Sequence, residues 1–83
     1  MTLHIRYFAW LRERVGTASE MIETNAPTIA ALVDELRTRS ENHAFAFSDL
    51  AAIRAAVDQE LMDFDAPIPH AHEVAFFPPM TGG

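Results

Sequence analysis

The chain has no cysteine and no lysine, and only three of its 83 residues are glycine. Without cysteine there is no disulfide, no thiolate metal site and no cysteine nucleophile. Without lysine there is no side-chain amine that could become an isopeptide branch point, because all six basic residues are arginine. Two of the three glycines are the last two residues, which leaves no material for a glycine-rich phosphate loop. No run reaches the roughly 18 apolar residues of a membrane span, and no charged-then-apolar signal segment opens the chain. "MTLHIRYF" reads instead as the start of the fold. Positive charge is scarce: twelve Asp and Glu against six basic residues give a net charge of -6. That balance works against nucleic acid and anionic membrane as partners. It suits either a basic surface on another protein or solubility alone. The length fits one domain with a modest core, and a small fold without disulfide staples fits the reducing cytoplasm.

What is present reads as α+β. "TLHIRYF" alternates, with Leu3, Ile5 and Tyr7 on one face and His4, Arg6 and Phe8 on the other, the pattern of a half-buried strand. "AWLRERVG" forms about two helical turns, with Gly16 as the left-handed residue that ends them. "ASEMIET" reads as an antiparallel neighbour strand. Thr28 caps a helix whose Ile29, Leu32, Val33 and Leu36 recur at helical spacing, with Arg37 and Arg39 expected in its last turn. "SENHAFAFSDL" reads as loop with a helical turn that tucks either Phe45 or Phe47 against the core. "IRAAVDQELMDF" reads as a strand, a tight turn around Asp58 to Glu60 and a short return. "DAPIPHAH" is loop, and "EVAFF" is the last strand.

One sheet with one main helix on one face leaves the other face to solvent or to a partner. If Val74 and Phe76 face the helix, Phe77 faces outward, and by the same alternation so does Phe8. Two outward phenylalanines on neighbouring strands make an apolar patch of the kind that marks an interface. The plain alternative is that chain twist or flanking loops bury one of them.

The tail "EVAFFPPMTGG" carries the sharpest signal. Two closing glycines arise by chance in on the order of one chain in 200, although termini are commonly small and disordered. Pro78 and Pro79 cannot extend a sheet ladder and hold the chain extended. From Pro78 to Gly83 a stretched tail reaches roughly 20 Å. Gly82 and Gly83, lacking Cβ atoms, let a terminal carboxylate enter a channel too narrow for side chains. A carboxylate there is inert until activated, as an acyl-adenylate for example. No Ser-His-Asp or Cys-His grouping is apparent to do that work, so the chain reads as the protein substrate of another enzyme.

Taken in order, "IRYFAWLRERVG", "PTIAALVDEL", "AAVDQELMDFDAPI" and "EVAFFPPMTGG" resemble the small subunit of molybdopterin synthase over nearly the whole chain. The resemblance implies a ubiquitin-like β-grasp body over residues 1–77, a mixed sheet with its main helix on one face, and an extended Gly-Gly tail over 78–83. It implies a sulfur carrier and a non-catalytic subunit. A ubiquitin-activator-like adenylyltransferase would use ATP and magnesium to form an acyl-adenylate on Gly83, and a sulfur-transfer enzyme would supply the sulfur of a thiocarboxylate. In the synthase large subunit, which holds the catalytic residues, that sulfur would enter the dithiolene of molybdopterin made from precursor Z (cyclic pyranopterin monophosphate). The family's synthase is a heterotetramer, two small subunits at the ends of a large-subunit dimer. Gly82 and Gly83 carry over as the reactive tail. Phe8, Leu61, Phe77, Pro78, Pro79, Met80 and Thr81 carry over as the partner-binding set, with Arg12 a polar candidate beside them. No resident cofactor or metal is implied.

Two positions depart from the family pattern. Where an Asp-Gly-Asp type turn usually precedes "EVAFF", this chain has His70-Ala71-His72, which argues against positive φ there. His-x-His invites a metal reading, but with no third ligand evident a solvated loop is the simpler one. The other is Asp58, where asparagine is common; either residue suits a tight turn. Other classes remain in view: a carrier for another thio-compound such as thiamine thiazole, a ubiquitin-like modifier of target lysines, and a binding module whose tail is incidental.

Overall fold

A computed structural model describes residues 1–79. Its elements are β1 (Thr2–Tyr7), α1 (Trp10–Val15), β2 (Ser19–Glu23), α2 (Ile29–Arg37), α3 (Glu41–Ala46), a 3-10 turn (Leu50–Ala52), β3 (Arg54–Val57), β4 (Glu60–Met62) and β5 (Glu73–Phe77). The five strands form one mixed sheet in the order β2-β1-β5-β3-β4. The first and last strands pair in parallel at its centre, and every other pairing is antiparallel. This is the α+β β-grasp architecture expected from the sequence, with α2 as the longest helix.

The alternation in β1 sorts as its pattern demands. Leu3 and Ile5 are fully buried and Tyr7 almost so, while His4 and Arg6 are only half-buried. The inward residues meet Ile29, Leu32, Val33 and Leu36 of α2 in one apolar cluster that also takes Leu11, Phe47, Ile53, Ile68, Val74 and Phe76. At its centre Phe47 and Phe76 meet edge to face with centroids 5.0 Å apart, and Tyr7 lies within 6.4 Å of both. The ambiguous segment resolves as α3: Phe47 enters the core and Phe45 stays 57% exposed.

Local chemistry sets the ends of these elements. Gly16 ends α1 at φ 96° and donates its N–H to the Arg12 carbonyl. The Thr28 hydroxyl accepts from the Ala31 amide, and two more first-turn amides of α2, those of Ile29 and Ala30, donate to the carbonyls of Ala66 and Phe64. The long 63–72 loop is thereby stitched to the helix, which satisfies backbone groups both would otherwise leave orphaned. α2 stops at Arg37, so Arg39 does not sit in its last turn as expected. Arg39 instead approaches the Glu20 carboxylate at 3.5 Å. Asp58 and Gln59 form the β3–β4 turn with φ of 49° and 72°, both left-handed as a two-residue hairpin requires. His70, Ala71 and His72 show no positive φ.

Candidate functional site

The helices cover one face of the sheet and leave the other open. Register places the open-face residues in rows. One row runs Arg6, Ala75, Ala56, Leu61 across β1, β5, β3 and β4, and in the next Phe77 lies opposite Arg54. Phe8 follows β1 directly: its N–H donates to the Phe76 carbonyl at 3.1 Å, and the Arg6 guanidinium lies over its ring at 5.0 Å. Three residues expected to dock a partner, Phe8, Phe77 and Leu61, therefore share one face. With strands about 4.8 Å apart, that face spans roughly 14 Å from β1 to β4. Phe8 is 39% exposed and Leu61 66%, while Phe77 is half-buried. Between them Ala56 and Ala75 keep the middle low, which gives a shallow apolar trough flanked by larger side chains.

Charge frames this trough. Glu73 lies 3.8 Å from both Arg6 and His4, and Arg54 donates to the carbonyls of Ala51 and Ile53. β5 ends at Phe77, and Pro78 and Pro79 continue from it half-buried. Met80, Thr81, Gly82 and Gly83 lie outside the described residues. Arg12 is on α1, whose Leu11 and Val15 enter the core on the helix side, so it is not part of the sheet rows.

The turn that feeds β5 is held by a side chain. One Asp58 oxygen accepts the backbone amides of His72 and Glu73, both at 3.0 Å, and the Asp58 amide donates to the Glu73 carbonyl. These bonds tie β5 to the hairpin at the end of the His70-Ala71-His72 segment. The amide of His72 is thus spent on structure. Among the described residues no group of three or more His, Cys, Asp or Glu side chains is gathered as metal ligands.

Sequence reasoning missed two features. The first is Met21, which pairs with His4 on the open face and is 60% exposed, extending the apolar surface onto β2. Alternation from buried Ile22 was signal enough to find it. The second is a polar network on the helix side. Glu20 receives the Tyr7 hydroxyl and His43 Nε2, each at 2.7 Å, while His43 Nδ1 faces the Ser40 hydroxyl at 2.7 Å. Ser40 also caps α3 by accepting the His43 amide. Burial pushes the Glu20 carboxyl up, but hydrogen bonds from His43 and Tyr7 and the charges of His43 and Arg39 outweigh it and hold it below its ordinary value. Burial, with the Glu20 bond second, drives the Tyr7 hydroxyl far above its ordinary value. Every buried side-chain polar atom among the described residues has a partner, so this network reads as structure that locks α3 to β2.

A family model described as the ThiS family matches residues 5–83. A relative from Escherichia coli named molybdopterin synthase sulfur carrier subunit is 41% identical over 98% of this chain and 99% of its own length. One of the same name from Haemophilus influenzae is 31% identical over the same shares. Among solved structures, a putative molybdopterin converting factor subunit 1 from Pyrococcus furiosus superposes with TM-score 0.76 at 22% identity, covering 96% of this chain and 99% of that one. Small archaeal modifier protein 1 of Haloferax volcanii gives 0.74 at 19%, over 95% and 98%. A chain from a Helicobacter pylori complex of molybdopterin-converting factor subunits 1 and 2 gives 0.67 at 19%, with both chains fully covered. At these identities the solved structures speak for the fold.

Proposed function

This chain belongs to the ThiS family, and from that premise we propose that it is the sulfur carrier subunit of a molybdopterin synthase. The observation that carries the reading is its likeness, over nearly the full length of both chains, to relatives of that name at 41% and 31% identity. In this reading an adenylating enzyme draws on ATP and magnesium. The Gly83 carboxylate attacks the α-phosphate of ATP, pyrophosphate leaves, and a sulfur nucleophile then displaces AMP to leave a thiocarboxylate. The open face carries the loaded chain to the large subunit, with Phe8, Phe77 and Leu61 as apolar anchors. Pro78 and Pro79 direct Met80, Thr81, Gly82 and Gly83 toward the catalytic residues of that subunit. There the sulfur enters the dithiolene built on precursor Z. The carrier contributes no catalytic side chain of its own and works in the cytoplasm, with two copies at the ends of a large-subunit dimer.

The deciding experiment is the intact mass of the chain after incubation with an activating enzyme, ATP, magnesium and a sulfur source. The expected result is a gain equal to sulfur minus oxygen, mapped to Gly83 and lost when Gly83 is deleted. An amide linking Gly83 to a target lysine would make the chain a protein modifier instead. No change with a competent activator, while partner binding survives the deletion, would make it a binding module.

A further inference from the structure

All 83 residues lack lysine, and the six basic side chains are Arg6, Arg12, Arg14, Arg37, Arg39 and Arg54. A guanidinium stays protonated and has no lone pair to offer. A lysine, with an ordinary value near 10.4, is a neutral amine in roughly one molecule in 2,500 near pH 7. An acyl-adenylate is a strong acylating agent, so even that fraction is an acceptor when two copies meet.

Folding does not demand a guanidinium at each of these positions. Arg14 uses its planar group, stacked 4.4 Å from the Trp10 ring and 4.3 Å from Phe45, and Arg54 reaches two carbonyls from one nitrogen. Arg37 and Arg39 do not use that geometry. They meet Asp34 at 3.9 Å and Glu20 at 3.5 Å, too long for a bidentate fork and within the means of an ammonium. The α-amino group of Met1 is also engaged: it donates to the Thr24 carbonyl at 3.0 Å and lies 3.7 Å from the Glu23 carboxylate. The Met1 carbonyl accepts from the Thr24 amide, which anchors the residue at both ends.

We propose that this lysine-free surface protects the activated C-terminus from self-acylation, so that one copy of the chain cannot be consumed as the acceptor of another. The inference rests on the carrier reading above. In the reaction it excludes, a lysine Nζ lone pair attacks the Gly83 carbonyl carbon and a C–N bond forms. The C–O bond to AMP breaks, AMP departs with the electron pair, and the surplus amine proton passes to solvent. The product is an isopeptide-linked dimer whose donor terminus can no longer hold sulfur. Arginine at every basic position closes that path, and the amine of Met1 is tied to Thr24 and Glu23.

The test uses the full chain carrying Gly83 as a mercaptoethanesulfonate thioester, a stand-in for the adenylate that needs no activating enzyme. The native protein is compared with Arg37→Lys and Glu13→Lys, both at exposed or half-exposed helical positions, after circular dichroism shows each variant folded. The native thioester is expected to hydrolyse without forming dimer. Each lysine variant is expected to accumulate dimer and higher species, with the isopeptide mapped to the introduced lysine. Native dimerisation through Met1 or a hydroxyl at the rate of the variants would overturn the proposal. So would variants that form no dimer while added ethylamine consumes their thioester. Failure of the carrier reading shows separately, as absence of the sulfur mass gain with a competent activator.

Discussion

Leu61 and Phe8 stand exposed on the open sheet face without holding the core together. Replacing either with aspartate should therefore leave stability within about 0.5 kcal/mol, as surface changes generally do. The same change should weaken binding to the large subunit by roughly 2 kcal/mol or more, the loss typical of a central apolar anchor. Calorimetric titration against the large subunit, paired with a denaturation curve, separates the two effects. A drop in both together would mean these side chains support the fold. Ala9 presents a different case. It holds φ 54° and ψ -132° in the turn between Phe8 and Leu11, a conformation suited to glycine. Ala9→Gly should relieve strain on the order of 1 kcal/mol and raise the urea midpoint; an unchanged or lower midpoint would show that the turn is relaxed as built.

Among the elements, β5 depends on a turn it does not belong to. Asp58→Ala removes the acceptor of two backbone amides and should cost about 1–3 kcal/mol, whereas Asp58→Asn keeps an acceptor oxygen and should lose less than half of that. Equal losses in the two variants, read by urea denaturation, would mean the carboxylate charge matters more than the bonds. The Glu20 network binds β2 to α3 in a pH-dependent way. Its folded carboxyl is held below the ordinary 4.5, so its contribution is fully present above that value. It fades as pH falls from 4.5 through the lowered folded value. The stability gap between the native chain and Glu20→Gln should accordingly shrink as pH falls below 4.5. A gap that widened in acid would contradict this sign.

At the scale of the whole molecule, the core is small. Phe47→Ala should cost about 3–5 kcal/mol, a large share of the 5–15 kcal/mol typical of a domain. Such a variant should melt well below the native chain or fail to fold. Deleting Gly83 should do the opposite: an unchanged melting midpoint and unchanged binding through the open face, with complete loss of the sulfur mass gain. Lost binding after that deletion would move part of the docking energy from the sheet to the tail.

Much of this was legible in the chain because the signals are local. The period-2 pattern of "TLHIRYF" and "EVAFF" sorted Leu3, Ile5, Tyr7, Val74 and Phe76 inward and Phe8 and Phe77 outward, since a strand alternates whatever it pairs with. Thr28 and Gly16 marked helix ends because caps depend on one residue's backbone and side chain. The absence of lysine and the closing Gly-Gly are composition and need no fold. The pairing of distant residues was not legible in this way. Whether Phe45 or Phe47 entered the core was decided by how α3 docks beside Tyr7. Arg39 and Glu20 are 19 positions apart in the chain, as their numbers show, and meet only once β2 and α3 are side by side. Asp58 reaches the amides of His72 and Glu73 because β5 returns antiparallel to β3. Phe8, Phe77 and Leu61 are scattered in the chain and become one surface only through the strand order β2-β1-β5-β3-β4. The sequence determined which way each side chain points from its own element, while the tertiary structure decided which side chains become neighbours, because that depends on pairings no local stretch encodes.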